Sequence, residues 1–305
     1  MTEPDFLRDT RTSYDAVAVG YAERFRDELA AKPLDRAMLA SFAELVRDAG
    51  AGPVADVGCG AGRVTSHLNV LGLPVFGIDL SPRMVAVARQ SYPGLRFEVG
   101  SMLALDLPDA ALGGVLAWYS TIHVPDDRLP EAFAEFRRVL APGGYALLGF
   151  QVGHESLRVT HAMGRPISLE LHQRQPERVA DLLERAGLNV RARLLREPDE
   201  EGDFPERTRQ AFVLARKPGR HPMTPGSRAG LRHTDAGRPG SRHGSVRRGK
   251  LPGPGGLEGS VSNCAECHIG GPDCLPGDPV SWTGRRDDVI VALINGHVVD
   301  VAVRV

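Results

Sequence analysis

Up to about Pro218, the apolar positions of the chain switch between two spacings. Near the start, Tyr14, Val17, Ala18, Tyr21 and Phe25 recur every third or fourth residue and predict a helix with one buried face. A second helix is predicted over residues 34–48. Short apolar runs then alternate with helical patterns. "PVADV", "LPVFGIDL", "LRFEVG", "GGVLAWYS" and "YALLGFQ" read as strands. Helices are predicted after the glycine-rich turn and over "SPRMVAVARQSY" and "RLPEAFAEFRRVL". Later, Pro176 opens a helix with a stripe of Val179, Leu182, Leu183 and Ala186, and Gly187 follows its end. "NVRARLLRE" and "RTRQAFVLARK" predict two more strands. No helical pattern separates them, so they pair antiparallel. The whole is an α/β fold: a doubly wound, mostly parallel seven-stranded sheet with an antiparallel last hairpin and helices on both faces.

Composition changes the picture after residue 218. The chain has 305 residues and is 42% hydrophobic. Residues 1–217 carry 26 Lys/Arg against 30 Asp/Glu, whereas residues 219–250 carry eight against one. That basic stretch, rich in Gly, Pro, Ser and Arg, lacks the apolar surface to offset its ordering entropy. The expected organisation is a domain over 1–217, whose first 50 residues form a helical cap, then a disordered linker over 218–260. A segment over 261–305 follows, with a hairpin about Asn295-Gly296.

The net charge of −1 gives no field favouring nucleic acid. No apolar run has the length of a membrane span. Cys59 stands alone, and Cys264, Cys267 and Cys274 cluster late. That is no disulfide framework; with an acidic start lacking a signal core, it predicts a cytoplasmic protein.

The candidate chemistry begins at "VADVGCGAGR", residues 54–63. Gly58, Gly60 and Gly62 let the main chain approach a ligand and turn into a helix whose first N–H groups point outward. The G-x-G-x-x-G frame of nicotinamide sites fails: from Gly58 its third place falls on Arg63, and from Gly60 on Thr65. No Gly-Lys-Ser/Thr follows, so a phosphate loop fails too. At the end of the second strand, Asp79 offers two carboxylate oxygens, suited to a pair of ribose hydroxyls.

These residues resemble the class I S-adenosylmethionine (SAM)-dependent methyltransferases, whose sheet is Rossmann-like. The family's acid-x-G-x-G-x-G motif matches Asp56, Gly58, Gly60 and Gly62. Its acid at the end of strand two, followed by a small polar residue and proline, matches Asp79, Ser81 and Pro82 in "GIDLSPRM", with Leu80 between. "VGSMLALDLPDA" resembles the strand-three segment beside the adenine. Many relatives place an acid where Ser101 stands, so Ser101 departs from the pattern, and Met102 is the residue that would lie against the ring. "AWYSTIHVPDD" and "RVLAPGGYALLGF" resemble the ends of strand four and the turn into strand five. The resemblance spans roughly residues 10–217. It implies methyl transfer from SAM to a small molecule, or a catalytically inert or regulatory SAM-binding protein of the same fold.

The resemblance also assigns individual residues. Asp56 would orient the methionine amino group of SAM. Cys59 is a small side chain between two glycines on the cofactor loop rather than a redox group. Arg63 either steers the cofactor carboxylate or is a solvated helix residue. Tyr14 and Tyr21 are core residues or part of a helix closing over the methionine end. Trp118 and Tyr119 would line the same cavity. His123, after strand four, is the candidate general base, or else only shapes the wall. His154, His161 and His172 fall where this family often builds its acceptor site, with no metal-ligand spacing.

The acceptor is narrowed by exclusion. "WYST" lacks the Asp/Asn-Pro-Pro-aromatic pattern used on flipped DNA bases. No glutamate pair is present there for a guanidinium. Asp126 and Asp127 look like the start of a helix rather than a metal cluster. A small molecule remains, methylated on oxygen, nitrogen or carbon. Cys264-x-x-Cys267-His268, with Cys274, has the spacing of haem attachment or of zinc ligands. Haem attachment conflicts with a cytoplasmic chain, and zinc pairs usually stand farther apart.

Overall fold

Strand β1 (Val54–Val57) is buried along its whole length, as a central strand covered on both faces must be. It pairs in parallel with β2 (Val75–Asp79) on one side and β4 (Leu112–Trp118) on the other. The computed structural model describes residues 3–219, 292–294 and 297–299. With β3 (Phe97–Val99), β5 (Leu140–Gln151), β8 (Asn189–Arg196) and β9 (Gln210–Arg216), these strands form a seven-stranded sheet of order β3-β2-β1-β4-β5-β9-β8. The first five strands run parallel, and β9 pairs antiparallel with both β5 and β8. This is the predicted fold class. Strand order reverses between β1 and β4, so a crevice opens at their carboxyl ends.

Local chemistry sets the helices. α1 (Asp5–Arg24) has an acid in its first turn and a base in its last, both favourable to the helix dipole. It buries Val17, Ala18 and Tyr21, and Phe25 follows them into the core. After the short α2 (Glu28–Ala31), α3 (Pro33–Ala49) starts on a proline and ends at Gly50, φ +57°. α4 (Arg63–Val70) leaves the glycine loop. α5 (Pro82–Ser91) is capped by Ser81, whose Oγ accepts from the Met84 N–H at 3.0 Å. α6 (Leu129–Val139) buries Leu129, Ala132, Phe133, Phe136 and Val139. α7 (Pro176–Arg185) carries the predicted stripe.

One local expectation is corrected. β5 begins at Leu140, before the predicted "APGG" turn, because Leu140 already pairs with Leu112 ahead of a register shift. Asp126 and Asp127 lie in the turn that leads into the helix beginning at Leu129, and Asp126 takes a hydrogen bond from the buried Arg174 at 2.8 Å.

The pattern predicts no element between Gln151 and Pro176, yet this stretch forms an antiparallel hairpin of β6 (Ser156–Ala162) and β7 (Arg165–His172). Ser13 of α1 ties the cap to it. Its Oγ donates to the Ser168 carbonyl at 3.0 Å and accepts from the Ser168 N–H at 2.9 Å.

A buried ionic cluster fastens α2 and α3 to the β8–β9 connection. Arg196 reaches Asp35 at 3.0 Å and Glu206 at 2.6 Å, and Lys32 reaches Asp199 at 2.7 Å and Glu206 at 3.4 Å. Of these, only Asp199 reaches solvent to any extent.

The chain divides into two units, one of Met1–Pro222 with Asp287–Val305 and one of Met223–Arg286. The second lies outside the described residues. So do the linker from Arg220 on, Cys264, Cys267, His268, Cys274 and the Asn295-Gly296 turn. Two short strands, β10 (Ala292–Ile294) and β11 (His297–Val299), pair antiparallel.

Candidate active site

The glycine loop is fixed from two sides. The Gly58 N–H donates to the Ile78 carbonyl at 2.7 Å, which binds the loop to β2. Gly58 has φ +79°, and a Cβ there would stand 2.2 Å from the Ser120 Cβ. Only glycine lets the ends of β1 and β4 approach this closely. Gly60, φ +54°, turns its N–H onto Asp79 Oδ2 at 2.7 Å, and the Ser81 N–H reaches Oδ1 at 2.8 Å. Asp79 is thus aimed by the main chain on both oxygens, each of which keeps a lone pair for a ligand.

Asp56 is 1% exposed. Its Oδ2 accepts from Thr65 Oγ1 at 2.6 Å, and its Oδ1 is buried without a partner. Among the described residues, neither Asp56 nor Asp79 forms an ion pair. Burial therefore dominates, raising Asp56 to about 7 and Asp79 to about 6. The Thr65 hydroxyl opposes it at Asp56, and the Ser81 and Gly60 N–H groups oppose it at Asp79.

Gly58, Gly60, Asp79, Leu80, Ser101, Met102, Tyr14, Tyr21, Tyr119 and His123 line a single cleft. Asp56 and Cys59 face a smaller adjoining pocket, which shares Tyr21, Gly58, Gly60 and Trp118 with the cleft. Cys59 is a free thiol whose Sγ would meet any side chain placed at Gly77, which fits the reading that only a small residue is accepted there. Ser101 Oγ accepts from the Leu103 N–H at 3.2 Å, which shapes the turn beside Met102.

Tyr14 and His123 come together: hydroxyl and Nε2 stand 2.8 Å apart. Burial lowers His123 to about 4, against the weaker opposite effect of the Glu170 main chain, so the imidazole is neutral near pH 7. Burial pushes the Tyr14 phenol well above 10. Tyr119 holds φ +53°, uncommon for an aromatic residue, and its buried hydroxyl has no hydrogen-bond partner.

One sequence reading changes. Arg63 is not a solvated helix residue: it forms an ion pair with the buried Glu28 and lines the pocket beside Asp56. Sequence reasoning missed Glu28, which shows no motif; only a tertiary contact reveals it. Of the three histidines after β5, His172 bonds Ser156 and His154 bonds Gln175. His161 is exposed, and among the described residues no cluster of metal-ligating side chains occurs.

Residues 54–144 match the methyltransferase domain family. The stretch resembles a methyltransferase domain, and the sheet around it shares the fold of solved SAM-dependent methyltransferases. A demethylmenaquinone methyltransferase of Chlorobaculum parvum is 34% identical over 96 residues, 31% of this chain and 39% of the relative. Trans-aconitate 2-methyltransferase of Escherichia coli is 34% identical over 153 residues, 50% of this chain and 57% of the relative. Magnesium protoporphyrin IX methyltransferase from Synechocystis PCC 6803, solved with bound SAM, superposes with TM-score 0.52 at 16% identity. That superposition covers 71% of this chain and 99% of that one. The chain spans about two fifths of the length of the first of these relatives.

SAM bears an ammonium, a sulfonium and two ribose hydroxyls. The partnerless Asp56 oxygen and the main-chain-aimed Asp79 carboxylate, both buried without an ion pair, fit those groups. No helix among the described residues is long and apolar enough to cross a membrane.

Proposed function

We propose that the protein moves a methyl group from SAM to an oxygen, nitrogen or carbon atom of a small molecule. The observation that carries this reading is the pair of buried carboxylates, Asp56 and Asp79, at the ends of adjacent strands across the glycine loop. Asp79 holds the ribose and Asp56 the methionine amino group. Ser101 and Met102 flank the adenine. When bound, SAM supplies a methyl on a sulfonium, an activated leaving group. The chain's task is alignment and exclusion of water, which supply much of the rate in such transfers.

The acceptor lies between the end of β4 and the β6–β7 hairpin. His123, held neutral by burial, takes the proton from a hydroxyl or amine nucleophile, and Tyr14 orients its ring. The small-molecule class is supported by the named relatives, which act on demethylmenaquinone and trans-aconitate. The excess of acidic over basic residues in 1–217 disfavours nucleic acid. A cytoplasmic location belongs to the same proposal and is supported by four cysteines too few and too lopsided in the sequence for a disulfide framework.

Labelled methyl transfer from SAM, assayed over small hydroxyl, amine and quinone compounds, tests the reading. Turnover of at least one compound is expected. Silence across a broad panel, with SAM still bound, would favour the inert alternative.

A further inference from the structure

Ser13, Tyr14 and Asp15 are consecutive on α1, and each bonds a different element around the cleft. Successive residues of a helix point about 100° apart, so a single turn can serve three directions. Ser13 holds the Ser168 main chain of β7. Tyr14 meets His123 Nε2 just after β4. Asp15 turns to the start of α5, beside the acid that ends β2. Its Oδ1 accepts from Ser81 Oγ at 2.5 Å and from the Arg83 N–H at 3.0 Å.

The third contact has a local cause. α5 opens on Pro82 and has no acid in its own first turn. The N–H groups of Arg83 and Met84 have no partner within the helix. Ser81 Oγ takes the Met84 N–H, and the Asp15 carboxylate supplies the other acceptor, with the negative charge that a helix start favours. Through Ser81 the contact also reaches Asp79, whose Oδ1 accepts from the Ser81 N–H at 2.8 Å. Asp15 itself lines neither the cleft nor the adjoining pocket, so it acts only through its neighbours.

We propose that Asp15 is a positioning residue for methyl transfer: fixed on Ser81 beside Asp79, it sets the rotation of α1 from which Tyr14 holds the His123 ring in the cleft. This rests on the proposed roles of Asp79 and His123 and extends them to a residue that touches neither ligand. One turn of α1 thereby keeps the base on the acceptor side in register with the acid on the cofactor side. Ser13, on the same turn, ties the β6–β7 hairpin into that register. Reacting groups must be aligned closely for in-line transfer, so a rotation of this turn is felt in the rate.

Nitrogen NMR of the His123 ring in the ligand-free full chain tests the positioning contact without any substrate. Asp15→Ala should move the Nε2 resonance in the direction that Tyr14→Phe moves it. Asp15→Ser, too short to reach Ser81, should behave as Asp15→Ala. Asp15→Asn keeps an oxygen for Ser81 and Arg83 and should restore the wild-type resonance. Arg24→Ala is the control for a merely loosened helix. It removes the bond from Arg24 to the Asp203 carbonyl at 2.8 Å, and should lower Tm with His123 unmoved. With any compound the protein methylates, Asp15→Ala should lower kcat by up to ~10², the cost of a reacting group misplaced by about 1 Å, and Asp15→Asn should stay close to wild type. An unmoved resonance in Asp15→Ala and Asp15→Ser, or an equal displacement in Arg24→Ala, overturns the inference. A displaced resonance with no methylation of any compound counts against the methyl-transfer reading and leaves the contact from Asp15 to His123 standing.

Discussion

Tyr14 and His123, 109 residues apart in sequence, meet hydroxyl to Nε2 at 2.8 Å on the wall of the cleft. The contact joins the cap helix to the single turn of 3-10 helix, Thr121–His123, that follows β4. Its rings cross edge to face, centroids 5.2 Å apart.

His123→Ala is expected to lower kcat by about 10²–10⁴, the usual range for a lost general base, with SAM affinity nearly unchanged. Tyr14→Phe should lower kcat less, because the imidazole survives and only its orientation loosens. Steady-state kinetics with calorimetry checks both. Full activity in His123→Ala would reduce the residue to a wall of the cavity.

Asp79→Ala should weaken SAM binding by about 1.5–3 kcal/mol for each charged hydrogen bond lost. The same substitution strips the Gly60 and Ser81 N–H groups of their acceptor, so Tm should fall as well. Asp79→Asn, which keeps a carbonyl oxygen for one of them, should lose affinity with a smaller drop in Tm. Unaltered affinity in both variants would remove Asp79 from the ribose site.

Asp56 and Asp35 are both raised by burial to about 7, against a carboxylate's usual value near ~3.9. A raised carboxylate contributes stability that is complete below its unfolded value and lost as pH rises through its folded value. His123, depressed to about 4, acts in the opposite sense: its contribution is complete above ~6.5 and falls away only as pH drops toward its folded value. The window from pH ~6.5 to 8 therefore isolates the carboxylates. Thermal melts of the ligand-free protein should show Tm falling across it. S-adenosylhomocysteine (SAH), which brings an ammonium to Asp56, should flatten that fall, and its binding should release a proton. Calorimetry in buffers of different ionisation heat reads the proton; uptake instead of release would contradict the assignment of Asp56.

Arg196 is the hub of the buried cluster, with Asp35 and Glu206 on its guanidinium. Arg196→Met leaves two buried carboxylates without their main cation and should cost about 3–5 kcal/mol. Chemical denaturation measures it. A loss under about 1 kcal/mol would show that the cluster relaxes into water as surface pairs do.

Much of this molecule is legible in its sequence because the local signals agree with the global fold. The burial of β1, β2 and β4 follows from their apolar runs, and the Pro176 helix follows from its stripe and the glycine after it. The cleft is legible too, since Asp56 through Gly62 and Asp79 sit at fixed places at strand ends. The β6–β7 hairpin shows how a signal goes unread. Leu157 and Val159, then Ile167, Leu169 and Leu171, alternate with polar residues, and Met163-Gly164 turns between them with both φ positive. That period of two is short in each strand and is broken at the register shift between Val159 and His161, so it does not stand out along the chain. Glu28 was illegible for a different reason. An acid on a four-residue helix looks solvated, and only the approach of Arg63 from the far side of the glycine loop makes it internal.

The central claim is that the crevice beside Gly60 and Asp79 binds an adenosyl sulfonium rather than a dinucleotide. Titration of the purified full chain with SAM, SAH and NAD decides it. Saturable binding of SAM and SAH at one site, with no binding of NAD, is expected. Tight binding of NAD with no response to SAM would contradict it.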